Sequence, residues 1–333
     1  MIFGITMGDS SGVGPEILLK AYRNDELRPH RVIAFGDFSV LEWCNEKLRL
    51  GVPLHSAASP SACRDGFLNV LDAGLLRVED LTPGAISRAS GAAARAYVVS
   101  AAEAALRGEI AAMVTLPMNK EATQLSDPGF VGHTELIGAV CGAGDVTIML
   151  ASEQLLVTHV STHVSLRGAI EQAKKERISR IIRLTWDAVS RLKAQPRIAV
   201  AGLNPHAGEH GLFGREEIEE IAPAVEWARA NGMPVEGPLP PDTLFYLAVH
   251  RKKYDAIVCM YHDQGHIPLK LLDFEGGVNV ALGLPIIRTS VDHGTAFDIA
   301  YKGMASTRSL ICALEFAAKM AQGPVTSPEV LWA

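Results

Sequence analysis

Apolar runs typical of strands alternate along this chain with patterns typical of helices, and this alternation constrains its fold more than any other feature. Short apolar runs rich in β-branched residues are typical of buried strands and recur at positions 2–6, 31–35, 111–116, 146–150, 155–160, 197–201 and 256–260. Patterns of helical period lie between several of these runs, at positions 15–23, 89–107, 170–192, 216–230 and 309–322. Strands separated by helices usually pair in parallel, so the sequence predicts an α/β fold with a largely parallel sheet.

Composition narrows the class of protein. The 31 Lys and Arg residues against 37 Asp and Glu residues give a net charge of −6, which leaves no global field to attract nucleic acid or an anionic membrane. No apolar run approaches the roughly 20 residues of a membrane-spanning helix, and the N-terminus lacks a secretory signal. The 5 cysteines are scattered without a Cys-x-x-Cys pair, as in reduced intracellular proteins. We therefore expect a cytoplasmic enzyme that binds neither nucleic acid nor membrane.

Chain length bears on the domain organisation. A single hydrophobic core stops growing near roughly 250 to 300 residues. The 333 residues therefore predict two lobes. The sequence contains no internal repeat, low-complexity tract or flexible linker. We expect residues 1–333 to form one catalytic unit whose chain crosses between the lobes more than once, with lobe boundaries that the sequence does not define.

A glycine-rich stretch at positions 8–15 lies between the first predicted strand and the first predicted helix. It lacks the Lys-Ser/Thr pair of a Walker loop, and Ile17 stands where the dinucleotide fingerprint has its third glycine. Two interpretations stay open: a tight turn into a helix, and a loop that lines a ligand-binding cleft.

Histidines are concentrated in a few polar stretches, and His163, His206 and His262 each come shortly after a predicted strand. The carboxyl ends of parallel strands share one edge of a sheet, so these three imidazoles are expected to converge. One such histidine alone is more often a hydrogen-bonded structural residue. Three together favour a catalytic divalent-metal site, for which zinc is the best match and cobalt, magnesium, manganese and nickel are alternatives.

Other polar residues are candidates for proton transfer or anion binding. Asp263 directly follows one of the three histidines and either orients that ring or moves a proton. Asp242 either caps a helix or moves a proton. Lys270, Asn279 and Arg288 lie in a region with strand and loop character. Each is either an ordinary surface residue or part of an anion clamp, in which Arg288 offers a bidentate fork and Lys270 a point charge.

Several segments form a specific combination: Gly-His-Thr-Glu at 132–135, Gly-Leu-Asn-Pro-His-Ala-Gly-Glu at 202–209, Gly-Leu-Phe-Gly at 211–214, Tyr-His-Asp-Gln-Gly at 261–265, Gly-Leu-Pro at 283–285 and Arg-Thr-Ser-Val-Asp-His-Gly-Thr-Ala at 288–296. This set resembles the 4-hydroxythreonine-4-phosphate dehydrogenases and their sugar-acid relatives, which are distantly similar to isocitrate and isopropylmalate dehydrogenases. Positions 264–272 look most like the branch that acts on 4-phosphorylated D-threonate or D-erythronate. Ser10-Ser11 and Tyr301 depart from the family pattern, which usually has Pro-Ala and frequently has glycine at these places.

The resemblance implies a homodimer of two-lobed, isocitrate/isopropylmalate dehydrogenase-like subunits, with an active-site cleft between the lobes and a metal at the subunit interface. It implies metal ligation, with one ligand from the neighbouring subunit, by His163, His206 and His262. It implies substrate contacts from His133, Thr134, Lys270, Asn279 and Arg288. It implies NAD binding by Asp292, His293, Gly294, Thr295, Ala296 and Asp298.

The reaction implied is NAD-dependent oxidation at C3 of a small 4-phosphorylated 3-hydroxy acid, followed by decarboxylation. The metal would act as a Lewis acid. Lys270, Asp242 and Asp263 are the candidates for proton movement. The 4-phosphate would be bound by His133, by Thr134 and by backbone amides of the glycine-rich stretch. The substrate would be 4-phospho-D-threonate, 4-phospho-D-erythronate or 4-phosphooxy-L-threonine.

Two other functions compete with this one. A distant branch of the family oxidises cyclic dihydrodiol carboxylates, and such an enzyme would not need His133 and Thr134 for a phosphate. A metal-dependent binding protein without turnover is a second alternative, and the full set of metal-ligand and anion-clamp candidates argues against it.

Overall fold

The computed structural model describes residues 1–324, and the chain divides into two compact units. The first unit comprises Met1–Val146 and Leu284–Ala321, and the second is built on Thr147–Gly283.

The described strands are β1 (Ile2–Thr6), β2 (Arg31–Gly36), β3 (Leu54–Ser56), β4 (Leu68–Asp72), β5 (Ala112–Thr115), β6 (Thr147–Ala151), β7 (Leu156–His159), β8 (Ile198–Ala201), β9 (Glu236–Leu239), β10 (Ala256–Cys259), β11 (Val278–Leu282) and β12 (Arg288–Val291). The described α-helices are α1 (Gly14–Arg23), α2 (Phe38–Lys47), α3 (Arg88–Leu106), α4 (Lys120–Gln124), α5 (His133–Cys141), α6 (Leu166–Gln172), α7 (Lys175–Ser190), α8 (Ala222–Ala230), α9 (Pro241–Val249), α10 (His262–Leu272) and α11 (Arg308–Gln322). Among the described helices, none is both long and apolar enough to cross a bilayer.

The strands of the first unit pair in the order β3-β4-β2-β1-β5-β12, and every pairing among them is parallel. The second unit has the order β11-β6-β7-β10-β8-β9, in which β6 runs antiparallel to both of its neighbours and the other pairings are parallel. The predicted α/β fold with a largely parallel sheet is therefore confirmed. In the second unit, the carboxyl ends of β7, β10 and β8 lie side by side.

Some elements differ from the sequence prediction for identifiable reasons. The single helix expected over 170–192 is two helices, because the Glu220 carboxylate accepts the Lys175 amide at 2.9 Å and starts α7 there. Lys270 lies on α10 and not in strand or loop, since Gly265 and Pro268 within that helix hide its period. β3 and β9 were not predicted because both are short and only partly buried, without a continuous apolar run.

Helix α3 organises the first unit by packing against α4, α5 and the central strands β1, β2 and β5. Ser87 caps its start by accepting the Ser90 amide at 3.3 Å. Gly91 lets α4 approach closely, because a Cβ there would lie 2.3 Å from the carbonyl carbon of Ala122. Only a residue without a side chain fits this helix contact.

We expect Gly91→Ala to lower the free energy of unfolding by about 1–3 kcal/mol, since the added methyl group overpacks the contact between α3 and α4. Urea denaturation followed by circular dichroism measures the change. Gly144→Ala is the control, because a Cβ at Gly144 meets no atom within 4 Å. Equal stability of the two variants would contradict the close helix contact.

Candidate functional site

Four histidines lie together at the carboxyl ends of β7 and β10, and we call them the imidazole cluster: His159, His163, His262 and His266. The His163 and His262 ring centroids are 5.8 Å apart, and those of His262 and His266 are 3.6 Å apart in a nearly parallel stack. The predicted convergence of histidines at this edge thus holds for His163 and His262.

The tautomer of His262 follows from its neighbour. His262 Nδ1 lies 2.7 Å from the Asp263 carboxylate oxygen Oδ1, which can only accept a hydrogen bond. Nδ1 therefore carries the proton when the ring is neutral, and the lone pair is on Nε2. Metal-ligating histidines show this arrangement, in which a carboxylate holds the other ring nitrogen.

His206 follows β8 in a segment with unusual backbone geometry. Residues 206–210 all have positive φ, with values from 44° to 80°. This left-handed conformation costs roughly 1–2 kcal/mol for each residue other than glycine. The His206 Nδ1 atom lies 3.5 Å from Asp242 Oδ2, which α9 presents from its first turn. Asp242 is thus placed to orient this ring, much as Asp263 orients His262.

A buried carboxylate holds the segment before His206 in place. Glu217 is only 3% exposed, and its Oε1 accepts the backbone amides of Leu203 and Asn204, each at 2.7 Å. Its Oε2 accepts from Asn204 Nδ2 at 2.9 Å. Hydrogen bonds to a charged group are among the stronger ones in proteins, and they offset the strain of the left-handed segment. Nothing in the sequence singled out Glu217, because it is one of four glutamates within five residues.

The metal-ligand candidates do not all meet in this chain. His163 and His262 are in ring contact, whereas the described partner of His206 is Asp242. Within residues 1–324 no group of three His, Cys, Asp or Glu side chains is close enough to hold a metal ion. The assignment of one ligand to a neighbouring subunit stays a prediction.

In the first unit, His133 and Thr134 begin α5, and Arg288 begins β12. Arg288 is 3% exposed, and its Nη2 donates to Thr115 Oγ1 at 2.7 Å. In the described part of the chain, Arg288 Nε and His133 Nε2 are buried without a hydrogen-bond partner. Buried polar atoms of this kind are rare in folded proteins and often mark a ligand position.

Burial lowers the pKa of both His133 and Arg288 but leaves them with different charges at pH 7. Burial and the nearby Arg288 charge lower the pKa of His133 from 6.5 to about 3, so its ring is neutral at pH 7. Burial lowers the pKa of Arg288 to about 10, partly opposed by Glu135, so the guanidinium keeps its charge. The pair therefore combines a buried cation with a neutral imidazole, which favours an anionic ligand.

Lys270 and Asn279 belong to the second unit. Lys270 is partly buried on α10, two helical turns after His262, and its Nζ lies 5.1 Å from the Phe274 ring centroid. Asn279 is on β11, paired with Leu150 of β6. Both are placed by secondary structure and not by loops.

The predicted cofactor segment follows β12 in the first unit. Asp292 is partly buried, its amide donating to Ser309 Oγ at 3.3 Å. His293, Gly294 and Asp298 are exposed, and Ala296 has a φ of 43°. Thr295 is 8% exposed, and its carbonyl accepts the Val13 amide at 3.0 Å.

The glycine-rich stretch is a buried turn that leads into α1. A Cβ at Gly14 would lie 2.1 Å from the Met7 carbonyl oxygen, and one at Gly12 would lie 2.7 Å from the Thr295 carbonyl oxygen. Both glycines are therefore required by close backbone packing. Burial raises the pKa of Asp9 in this turn to about 6. Through the close approach of Gly12 to Thr295, the turn contacts the predicted cofactor segment.

The departure at Tyr301 has a local explanation. Its φ is 58°, a conformation that favours glycine and accounts for the frequent glycine in the family. The tyrosine hydroxyl donates to the Ser10 carbonyl, and its ring packs edge-on against Trp43 with centroids 5.1 Å apart. These contacts offset the strain.

Fold and site together are those of an α/β protein with a histidine-rich strand edge in one unit and a buried arginine–histidine pair in the other. Residues 28–317 match the family described as "Pyridoxal phosphate biosynthetic protein PdxA". The chain belongs to this family, which confirms the resemblance noted in the sequence.

Individual relatives span almost the whole chain. A D-threonate 4-phosphate dehydrogenase from Cupriavidus necator is 45% identical, over 96% of this chain and 97% of the relative. A crystal structure of a 4-hydroxythreonine-4-phosphate dehydrogenase from Klebsiella pneumoniae is 42% identical with a TM-score of 0.90, covering 96% of this chain and 99% of that one. A terephthalate 1,2-cis-dihydrodiol dehydrogenase from Burkholderia xenovorans is 30% identical with a TM-score of 0.70, covering 96% and 98%. The two relatives whose names include a phosphate are thus more similar to this chain than the dihydrodiol dehydrogenase is.

We expect Glu217→Gln to lower the free energy of unfolding by about 2–4 kcal/mol. The glutamine NH2 group would replace one carboxylate oxygen and would then face an N–H group that now donates to that oxygen. Glu219→Gln is the matched control, since Glu219 makes an exposed ion pair with Arg215 and such pairs contribute about 0–1 kcal/mol. Urea denaturation compares both variants with the wild type. Equal losses would contradict the role given to Glu217.

We expect the protein to lose stability as the pH falls from 6.5 toward 3, because the unfolded chain protonates His133 and the folded chain does not. Between pH 7 and pH 5 this residue accounts for roughly 2 kcal/mol. His133→Asn removes that contribution, so its unfolding free energy should change less between the two pH values. Identical pH dependence of variant and wild type would show that the ring is not buried as a neutral group.

Proposed function

We propose that this protein is an NAD-dependent and divalent-metal-dependent dehydrogenase that oxidises C3 of a 4-phosphorylated 3-hydroxy acid, with subsequent decarboxylation. The proposed substrates are 4-phospho-D-threonate and 4-phospho-D-erythronate, with 4-phosphooxy-L-threonine as the alternative that differs at C2. The observation that supports this most directly is the contact between the His163 and His262 rings just after the adjacent strands β7 and β10, with the Asp263 carboxylate beside His262 Nδ1.

The donor set fits a divalent metal of the borderline type. The family positions of the metal are His163, His206 and His262, and neutral imidazoles suit zinc first, then cobalt, manganese and nickel, with magnesium the least suited. We assign one of the three ligands to a neighbouring subunit, so the active form is a homodimer. When bound, the metal supplies Lewis-acid stabilisation of the negative charge that develops on the C3 oxygen.

The anionic groups of the substrate are assigned to the side chains that the sequence predicted for substrate binding. The amides and side chains that begin α5 receive the 4-phosphate, because a helix N-terminus favours negative charge. Arg288, fixed through Thr115, offers its buried Nε to a carboxylate or phosphate oxygen. We assign further polar contacts with the substrate to Lys270 and Asn279.

Proton movement is assigned to Lys270. Asp263 and Asp242 each lie beside a ring nitrogen of a proposed metal ligand, which favours an orienting role for both carboxylates. Lys270 shares a helix with His262, two turns later, and therefore holds a fixed position relative to that ring. It would take the hydroxyl proton as the C3 alcohol is oxidised.

The cofactor is assigned to the segment after β12. Its exposed part is open, since a Cβ at Gly294 would meet no atom within 4 Å. The buried Thr295 end is fixed to the glycine-rich turn through Val13. NAD held by this segment would supply the acceptor for the hydride from C3, and the 3-keto acid formed would then lose CO2 and take up a proton.

We expect His206→Ala to lose zinc and most turnover while keeping its fold, because one lost ligand opens a site built from three. Metal analysis after dialysis, circular dichroism and the NADH absorbance band with 4-phospho-D-threonate test this. Unphosphorylated D-threonate is the matched control substrate and should react poorly.

Retained zinc stoichiometry in the variant would refute the metal assignment. Equal rates with and without the phosphate would refute the phosphate contacts. No NADH with any phosphorylated acid, zinc and NAD would refute the dehydrogenase function and favour a non-catalytic binding protein.

A further inference from the structure

Two members of the imidazole cluster have no role in the function proposed above. His159 ends β7 and is 2% exposed, and His266 lies one helical turn after His262 on α10. The His266 ring covers the face of the His262 ring, with centroids 3.6 Å apart and planes 10° apart. His262 is thus bounded on its edge by Asp263 and on its face by His266.

Hydrogen bonds fix the orientation of His266. Its Nδ1 lies 3.1 Å from the His262 carbonyl oxygen and 3.2 Å from His159 Nε2. A carbonyl oxygen only accepts, so His266 Nδ1 carries a proton and donates. His159 Nε2 faces that same N–H group and accepts from it. The buried strand residue therefore holds the helix residue by a defined hydrogen bond.

Close packing keeps this arrangement rigid. β7 and β10 pair in parallel with His159 opposite Cys259, and α10 follows β10 directly. Gly265 allows the helix to approach the strand, because a Cβ there would lie 2.4 Å from His159 Nε2 and 2.9 Å from Cys259 Sγ. The backbone of α10 thus has little freedom to shift relative to His159.

We propose that His266, held by His159, is a positioning residue that fixes the ring plane of His262 for metal binding. This proposal rests on the proposed function, in which His262 is a metal ligand. A ring that rotates freely must be ordered when the metal binds, whereas a stacked ring is already ordered. Partners that orient a metal-ligating histidine typically contribute 10–100-fold in metal affinity.

The test measures zinc affinity by competition with a chromogenic chelator, and the visible absorption of the cobalt-loaded protein. We expect His266→Ala and His159→Leu to weaken zinc binding by about 10–100-fold and to alter the cobalt spectrum. His266→Phe keeps a stacked ring and should lose less than His266→Ala. His250→Ala is the matched control, since this exposed histidine belongs to the same unit outside the cluster. Circular dichroism and the melting temperature verify folding, and the His266 variants decide alone if His159→Leu does not fold.

His262→Ala separates this proposal from the proposed function. If His262→Ala loses zinc while His266→Ala and His159→Leu bind it like the wild type, positioning by His266 is refuted and the metal assignment stands. If His266→Phe loses as much affinity as His266→Ala, the stacked ring is refuted as the cause. If His262→Ala itself binds zinc like the wild type, the metal assignment is refuted and positioning by His266 is refuted with it.

Discussion

Parallel pairing of β7, β10 and β8 is the constraint on which the site of the second unit depends. These strands run in the same direction side by side, so their carboxyl ends, and the segments that follow, begin at one edge. The histidines proposed as ligands follow those three strands, one each. If one strand were reversed, its histidine would be placed at the opposite edge of the sheet. Parallel pairing thus brings His163 and His262 to one edge of the sheet although they are far apart in sequence.

The structure uses buried carboxylates and buried rings to hold polar geometry that would otherwise relax. Glu217 accepts hydrogen bonds from the backbone amides that precede a left-handed segment. The buried His159 ring accepts a hydrogen bond from His266 Nδ1. In the first unit, Thr115 plays a comparable part for Arg288. In each case the exposed or ligand-facing group is flexible by nature, and a buried partner restricts it.

Much of the fold could be predicted, because apolar runs such as those of β1, β8 and β10 need no distant partner to be recognised. The candidate site residues were also named from the sequence, since histidines after strands and a specific family pattern both point to them. Interactions between distant residues were not predictable. The capping of α7 by Glu220 and the contact of Asp242 with His206 join residues that are far apart in sequence. The hydrogen bond between His159 and His266 likewise spans more than one hundred positions.

The most direct measurement of the central claim is anomalous diffraction at the zinc edge from crystals of the zinc-loaded protein. We expect a peak about 2.0–2.1 Å from imidazole nitrogens of His163, His206 and His262, with at least one of these rings from a neighbouring subunit. A peak held by other side chains, or the three rings turned away from the ion, would contradict a metal-dependent dehydrogenase built on this strand edge.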